Sequence, residues 1–325
     1  MRIVFHGANA ASFSDGFADL VGAGAEVAVL PDALESADDR ATYASADVIV
    51  GVKFDAALPQ PERLKLFHVP GAGYDAVDLA AMPGTAVVCN CFGHEQAIAE
   101  YVMAALLRRC IPLDDADRRL RQGDWAYWAG ARERVHAEIA GSTIGLLGFG
   151  HIGKAIAARA KAFEMNVHVA NRSPVPPSAL VDRSYGLDEL PAFWRAADAF
   201  VVSVPLTAET TGIVGADAFA AMKREAVIIN VGRGATIDEP ALYDALRTER
   251  IAGAIIDTWY RYPSPADPNT QPSGLPFAEL PNVLMTPHMS GWTLGTITRR
   301  QRTIADNIRR RLSGEPCSNV VRGAT

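Results

Sequence analysis

The sequence lacks any apolar run long enough to cross a bilayer, which excludes a helical membrane protein; no membrane partner is expected. Cysteine is scarce, at Cys89, Cys91, Cys110 and Cys317, too few for a disulfide scaffold. Cys89 and Cys91 form a C-x-C with no second ligand pair, so zinc is not predicted and no metal site is expected. Positive charge is in deficit. Lys and Arg number 31 against 37 Asp and Glu, with no sustained basic stripe, so nucleic acid is not an expected partner. The densest basic cluster, Arg309-Arg310-Arg311, falls in a helical pattern and reads as a solvated helix face. The first residues, MRIVFHGANA, lack the basic-then-apolar pattern of a signal peptide. They read as a strand, and the expected location is the cytoplasm.

What the sequence has in quantity is apolar residues, 49% of 325, enough for two domains of ordinary size. Short apolar strands are predicted at 3–6, 25–30, 46–52, 64–69 and 85–89, separated by stretches with helical character. This alternation predicts a parallel α/β sheet over about the first 90 residues. A helix follows over 95–109, with Ile98, Tyr101, Val102, Ala105 and Leu106 on one stripe. Pro112 breaks it, and a second helical run covers 113–122. The aromatic loop Asp124-Trp125-Ala126-Tyr127-Trp128 fits a pocket cover, a subunit interface or plain packing. A second series of strands is predicted at 144–147, 166–170, 199–204, 226–230, 251–257 and 283–286. Six prolines and no periodicity mark 260–281 as a loop. A final helix over 293–312 is too isolated to be a domain and is expected to return to the first unit.

The stretch GSTIGLLGFGHIGKAIAARAKAF orders a strand, a glycine turn and a helix. Gly148, Gly150 and Gly153 permit a tight turn, close approach of a pyrophosphate and close helix–strand contact. The helix start then offers unpaired N–H groups and partial positive charge to phosphates. Eighteen residues past Gly153, where NAD-binding folds place an acid for the ribose, stands neutral Asn171, followed by Arg172 and Ser173. A carboxylate repels a 2′-phosphate, whereas Arg and Ser bind one. NADP(H) is therefore the favoured cofactor, with NAD(H) as the alternative. The remaining polar groups fall where strands end. Val204-Pro205, Val231-Gly232-Arg233, Asp257 and Pro287-His288 close successive strands, and ligands of open α/β sheets bind at such ends. Arg233 suits a carboxylate and His288 suits proton transfer.

The segments GAGYDAVDL, AIAEYVMAALL, GLLGFGHIGKAIA, VPLTAETTGIV, INVGRGATIDEPAL, AGAIIDTW and LMTPHMSG run in order from Gly71 to Gly291. As a set they resemble the D-isomer-specific 2-hydroxyacid dehydrogenase family, which includes glyoxylate/hydroxypyruvate reductases. The resemblance implies two Rossmann-like, doubly wound α/β domains with the cofactor domain inserted in the substrate domain. The substrate domain would cover 1–93 and 289–325, and the NAD(P)-binding domain 94–288. It implies a homodimer through helices near 95–140 and a small 2-keto or 2-hydroxy acid as substrate. It also implies roles. Arg233 binds the substrate carboxylate and carbonyl, and His288 is the acid/base. Ala72 and Gly73 hold the carboxylate through backbone N–H groups. His151 and Ile152 bracket the pyrophosphate, and Val204, Pro205 and Thr210 line the adenosine side. Val231, Gly232 and Asp257 lie near the nicotinamide. The domains are expected to close over the substrate and exclude water.

One position departs from the family. The glutamate that pairs with the catalytic histidine would stand five residues after Asp257, and the residue there is Tyr262. An imidazolium without a carboxylate partner is less stable, so its pKa is expected to fall. Three readings follow. Glu95 substitutes as the acid; His288 works with Tyr262 or water; or the reaction is a formate-dehydrogenase-like oxidation without proton transfer. From a different class, a nicotinamide-sensing binding protein keeps the fold without catalysis.

Overall fold

The computed structural model describes residues 1–22, 24–130, 132–264 and 267–323. The regions expected as dimerisation helices, as the 260–281 loop and as the C-terminal part of the substrate domain each include residues outside that description. The chain divides into two units, Met1–His94 with Trp292–Thr325, and Glu95–Gly291. In chain order the strands are β1 (Arg2–His6), β2 (Glu26–Leu30), β3 (Val48–Gly51), β4 (Leu66–His68), β5 (Val87–Cys89), β6 (Thr143–Leu147), β7 (Asn166–Ala170), β8 (Arg183–Tyr185), β9 (Ala199–Val202), β10 (Val227–Asn230), β11 (Gly253–Ile256), β12 (Val283–Met285) and β13 (Val320–Arg322).

In the first unit the sheet order is β13-β5-β4-β3-β1-β2. All pairings are parallel except β13 against β5. Parallel strands buried on both faces read as continuous apolar runs, and Val48–Gly51 and Leu66–His68 are buried throughout. The long helix Leu294–Ser313 belongs to this unit. It starts with the Thr293 side chain accepting from the Thr296 N–H and ends at Gly314, left-handed at φ 76°. Its buried Ile304, Ala305 and Ile308 share a core with Ile3, Phe5 and Phe17.

The second sheet runs β12-β11-β10-β9-β6-β7-β8, all parallel. Its strand order reverses between β6 and β9, the arrangement of a dinucleotide-binding fold with the crevice at that reversal. Alternate residues of β6 feed opposite cores. Ile144 and Leu146 pack with the helices Glu95–Cys110 and His151–Ala162, while Leu147 joins Phe193, Phe200 and Phe219 on the other face. A side chain at Gly145 would run into Phe200 and Phe193, so only glycine lets these rings reach the strand.

Strands β8 and β13 were not predicted. Each is three residues long, too short to show a period, and each lies at a sheet edge. Within 260–281 a short 3-10 turn, Phe277–Glu279, seats Phe277 in the core.

Candidate functional site

In the second unit the expected glycine turn joins β6 to the helix His151–Ala162. Gly148 is left-handed at φ 98°, and its N–H donates to the Ala170 carbonyl at 2.9 Å. A Cβ at Gly153 would overlap the Gly148 carbonyl oxygen. A Cβ at Gly150 would meet nothing within 4 Å. Gly150 is the N-cap of the helix and supplies no side-chain cap. The turn therefore combines a tight bend, an open approach and a helix start without side-chain competition, with His151 exposed and Ile152 half-buried at its first turn. These features fit a dinucleotide pyrophosphate.

Asn171 follows β7. Its Oδ1 accepts from the Phe149 N–H at 3.2 Å and its Nδ2 donates to the Ser173 carbonyl at 2.9 Å. The amide stitches the glycine turn to the next loop, and a carboxylate could not make the second bond. Arg172 and Ser173 are exposed. Beyond β9, Val204 and Pro205 enter a turn locked by Thr210, whose hydroxyl donates to the Pro205 carbonyl at 2.6 Å and accepts from the Thr207 N–H at 2.8 Å. The same turn carries Glu209. Hydrogen bonding by Thr207, with a smaller contribution from the Arg172 charge, holds its carboxyl below the usual range. Sequence reasoning missed Glu209, which only its place in the TAETTG string could have marked.

After β10, Val231 and Gly232 are buried. The Gly232 N–H donates to Asn230 Oδ1 at 3.1 Å, and Asn230 Nδ2 donates to the Arg233 carbonyl at 3.0 Å. Thr236 Oγ1 donates to the same carbonyl at 2.6 Å. The backbone carrying the half-buried Arg233 is thus fixed on both sides, and its Nη1 donates to the Gly232 carbonyl at 3.0 Å.

Asp257, after β11, was expected beside the nicotinamide. It is 0% exposed and both oxygens have partners inside the unit. Oδ1 accepts from Thr286 Oγ1 at 2.6 Å and from the Met289 N–H at 2.9 Å, and Oδ2 accepts from the Ser290 N–H at 3.0 Å. The carboxylate therefore supports the histidine turn. Its donors bracket His288 in the chain, Thr286 Oγ1 before it and the Met289 and Ser290 N–H groups after it, and His288 is left-handed at φ 58°. A left-handed histidine is strained by about 1–2 kcal/mol, and these bonds hold it there. The Thr286 hydroxyl proton goes to Asp257, so Tyr101 donates in the 2.7 Å bond between its hydroxyl and Thr286 Oγ1. Trp259 Nε1 donates to the Thr286 carbonyl at 2.8 Å. Tyr101 and Trp259 thus brace the strand end from two sides, a role that apolar periodicity alone does not reveal.

The Tyr262 hydroxyl lies 3.0 Å from His288 Nδ1, the rings 5.6 Å apart, and accepts from the Trp259 N–H at 3.1 Å. Burial raises the phenol pKa above its ordinary value, against smaller lowering effects of the Trp259 N–H and the Arg233 charge. Glu95 is the first residue of the helix that carries Tyr101. In the first unit, the carbonyls of Gly71 and Ala72 accept from the Cys91 N–H at 3.0 Å and from Asn90 Nδ2 at 2.7 Å. Because a trans peptide opposes its N–H to its C=O, the N–H groups of Ala72 and Gly73 both face away from those partners. Among the described residues no group of three His, Cys, Asp or Glu is placed to hold a metal, and no helix is long and apolar enough to cross a membrane.

Residues 102–290 match the family model described as D-isomer specific 2-hydroxyacid dehydrogenase, NAD binding domain. A glycerate dehydrogenase of Methylorubrum extorquens is 34% identical over 275 residues, covering 81% of each chain. A D-3-phosphoglycerate dehydrogenase of Methanocaldococcus jannaschii is 32% identical over 286 residues, covering 85% of this chain and 52% of its own. The chain thus spans about half the length of that relative. A solved 2-hydroxyacid dehydrogenase of Xanthobacter autotrophicus, in complex with NADPH and MES, is 28% identical, with a TM-score of 0.78 over 99% of this chain and 98% of that one.

Proposed function

The chain belongs to the D-isomer-specific 2-hydroxyacid dehydrogenase family, and we propose that it transfers hydride between a nicotinamide cofactor and C2 of a small 2-keto or 2-hydroxy acid. The observation that carries this reading is the left-handed His288, held at a strand end by Asp257, on the sheet that also bears the glycine turn and Arg233. When bound, the nicotinamide supplies or accepts the hydride. Arg233 pairs with the substrate carboxylate and polarises the carbonyl through its planar donors. The Ala72 and Gly73 N–H groups bind the carboxylate. His288 gives the carbonyl oxygen its proton in reduction and removes it in oxidation.

The unit Glu95–Gly291 binds the cofactor, and the unit Met1–His94 with Trp292–Thr325 binds the substrate. NADPH is preferred, because Asn171 keeps negative charge away from the ribose while Arg172 and Ser173 can bind a 2′-phosphate. Val204, Pro205 and Thr210 line the adenosine side, and Val231 and Gly232 the nicotinamide. The enzyme is a cytoplasmic homodimer. Its contact includes Leu113, Leu120, Trp125, Trp128 and Val135, five large apolar side chains that are each exposed within one short stretch of chain. Four free cysteines accord with a reducing compartment.

The test follows loss of nicotinamide absorbance with glyoxylate, hydroxypyruvate and phenylpyruvate, using NADPH and NADH. Turnover that His288→Ala abolishes is expected. Tight cofactor binding without turnover of any 2-keto acid would refute the enzyme reading and leave a nicotinamide-sensing protein. Formate is tested separately with NADP+ and NAD+, where its oxidation to CO2 would make the absorbance rise, because the neutral Tyr262 partner also suits an oxidation that transfers no proton; turnover of formate alone would replace the 2-keto acid as substrate.

A further inference from the structure

Resting on that dehydrogenase reading, we propose that Tyr262 is the positioning residue for His288, through a hydroxyl that either accepts from Nδ1 or donates to it. Three fixed points support this. The turn carrying His288 is pinned by Asp257, through the Thr286 hydroxyl before it and the Met289 and Ser290 N–H groups after it. The Trp259 N–H occupies one lone pair of the Tyr262 oxygen at 3.1 Å. The same oxygen lies 3.0 Å from Nδ1. One lone pair and one proton of the hydroxyl remain, and Nδ1 can use either.

In the imidazolium, Nδ1–H donates to the phenol oxygen and Nε2–H faces the substrate. During reduction C2 gains hydride from the bound nicotinamide, and the carbonyl oxygen takes the Nε2 proton. The product is an alcohol, an oxidised cofactor and a neutral imidazole still donating from Nδ1. The Nε2 lone pair of that imidazole makes it the base for the reverse oxidation. If instead the phenol donates to Nδ1, Nε2 keeps its proton and the ring is idle in both directions. A carboxylate accepts only, so it would favour the imidazolium and suppress the idle tautomer. Burial keeps the phenol neutral, so it adds no charge to the pair.

Other charged groups of this unit bear on the ring. Asp257 lies beneath the turn, Arg233 acts on Tyr262, and Glu95 opens the helix whose Tyr101 bonds Thr286. Replacement of Tyr262 leaves all three in place, which makes it the specific perturbation. The position is 47% exposed, so it admits a polar substitute.

The experiment is the NMR titration of the His288 ring, assigned against His288→Gln, in wild type, Tyr262→Phe and Tyr262→Glu, with the pH profile of kcat/KM for glyoxylate reduction alongside. Tyr262→Glu should raise the ring midpoint by about one pH unit and move the falling limb of the profile with it, about tenfold in rate above that limb. Tyr262→Phe should lower kcat about tenfold while cofactor affinity stays within about twofold, and should remove the Nδ1 hydrogen-bond signature. Ring midpoints of both variants within about 0.2 units of wild type would overturn the proposal. A wild type that turns over no 2-keto acid would overturn the dehydrogenase reading instead, and the ring titration would still decide the role of Tyr262.

Discussion

Replacing Asp257 by Asn changes one oxygen to an amide nitrogen and leaves the size of the side chain the same. Asp257 serves three donors: Thr286 Oγ1 and the Met289 N–H on one oxygen, the Ser290 N–H on the other. An amide offers one oxygen. If it replaces Oδ1, the Ser290 N–H faces an NH2 group and loses its acceptor, at a cost of about 1–3 kcal/mol. The two remaining bonds lose their charge assistance, roughly halving each. Relief of carboxylate desolvation offsets part of this, leaving a net loss of about 2 kcal/mol. For a unit of this size that lowers Tm by about 4–8 °C. Activity should fall as well as stability. His288 holds its left-handed conformation against about 1–2 kcal/mol, and the weakened pins release it. A tenfold to hundredfold fall in kcat is expected, roughly 1.4–2.8 kcal/mol of barrier. Scanning calorimetry and single-turnover rates at 25 °C check both figures. A variant that melts within about 1 °C of wild type and keeps kcat within about twofold would refute the claim that Asp257 sets the histidine turn.

Arg172→Glu should reverse the cofactor preference by tenfold or more in kcat/KM, about 1.4 kcal/mol, and equal efficiency with NADH and NADPH in wild type would remove the role given to Arg172. Gly153→Ala should lower Tm as well as cofactor affinity, because the methyl group meets the Gly148 carbonyl, whereas Gly150→Ala should melt like wild type and raise the cofactor Kd at least tenfold, because its methyl group enters the space open to the pyrophosphate; thermal melts beside a fluorescence titration separate them. Glu95→Gln should leave the reduction rate within about twofold if Tyr262 is the histidine's partner, and a tenfold fall would assign the acid to Glu95. His68 is fully buried, and burial pushes its pKa down to about 4. The unfolded chain therefore takes up a proton near pH 6.5 that the folded one refuses, so stability falls as pH drops from about 6.5 to 4, by an amount on the order of 3 kcal/mol. Denaturant unfolding across that range should show this loss, and His68→Gln should remove the largest part of it, leaving the smaller share of His6 and His168, whose pKa values burial also lowers.

The sequence made the fold legible where the period was long enough to read. The helix Glu95–Cys110 carries its stripe over four turns, and the glycine turn declares both the strand before it and the helix after it. The three-residue edge strands were not legible, because their partners are set by the fold and not by their own pattern. The strand-end residues were legible as positions but not as partnerships. Asp257 reads from the sequence as a group pointing at ligand, yet its carboxylate is turned inward to donors 29, 32 and 33 residues away. No local spacing encodes that choice. It follows from how β11 and β12 pair, which sets Thr286 beside the end of β11.

Two neutral residues act in one electrostatic direction. Asn171 stands where an acid would hold the ribose, and Tyr262 stands where an acid would face the histidine. Each replaces a carboxylate by a group that both donates and accepts, and each uses that freedom: Asn171 bonds the Phe149 N–H and the Ser173 carbonyl, Tyr262 the Trp259 N–H and His288 Nδ1. Both lie at carboxyl ends of strands of one sheet, so the rim carries two fewer negative charges while it keeps Arg172 and Arg233. Glu209 returns one negative charge near Arg172. The ligands proposed for this rim, a 2′-phosphate at one end and a substrate carboxylate at the other, are both anions, which Arg172 and Arg233 would attract. Such attraction is screened over about 8 Å at physiological ionic strength, so kcat/KM for an anionic substrate should fall with added salt while kcat holds. A salt-independent kcat/KM would show that the two missing carboxylates leave the field of the rim unchanged.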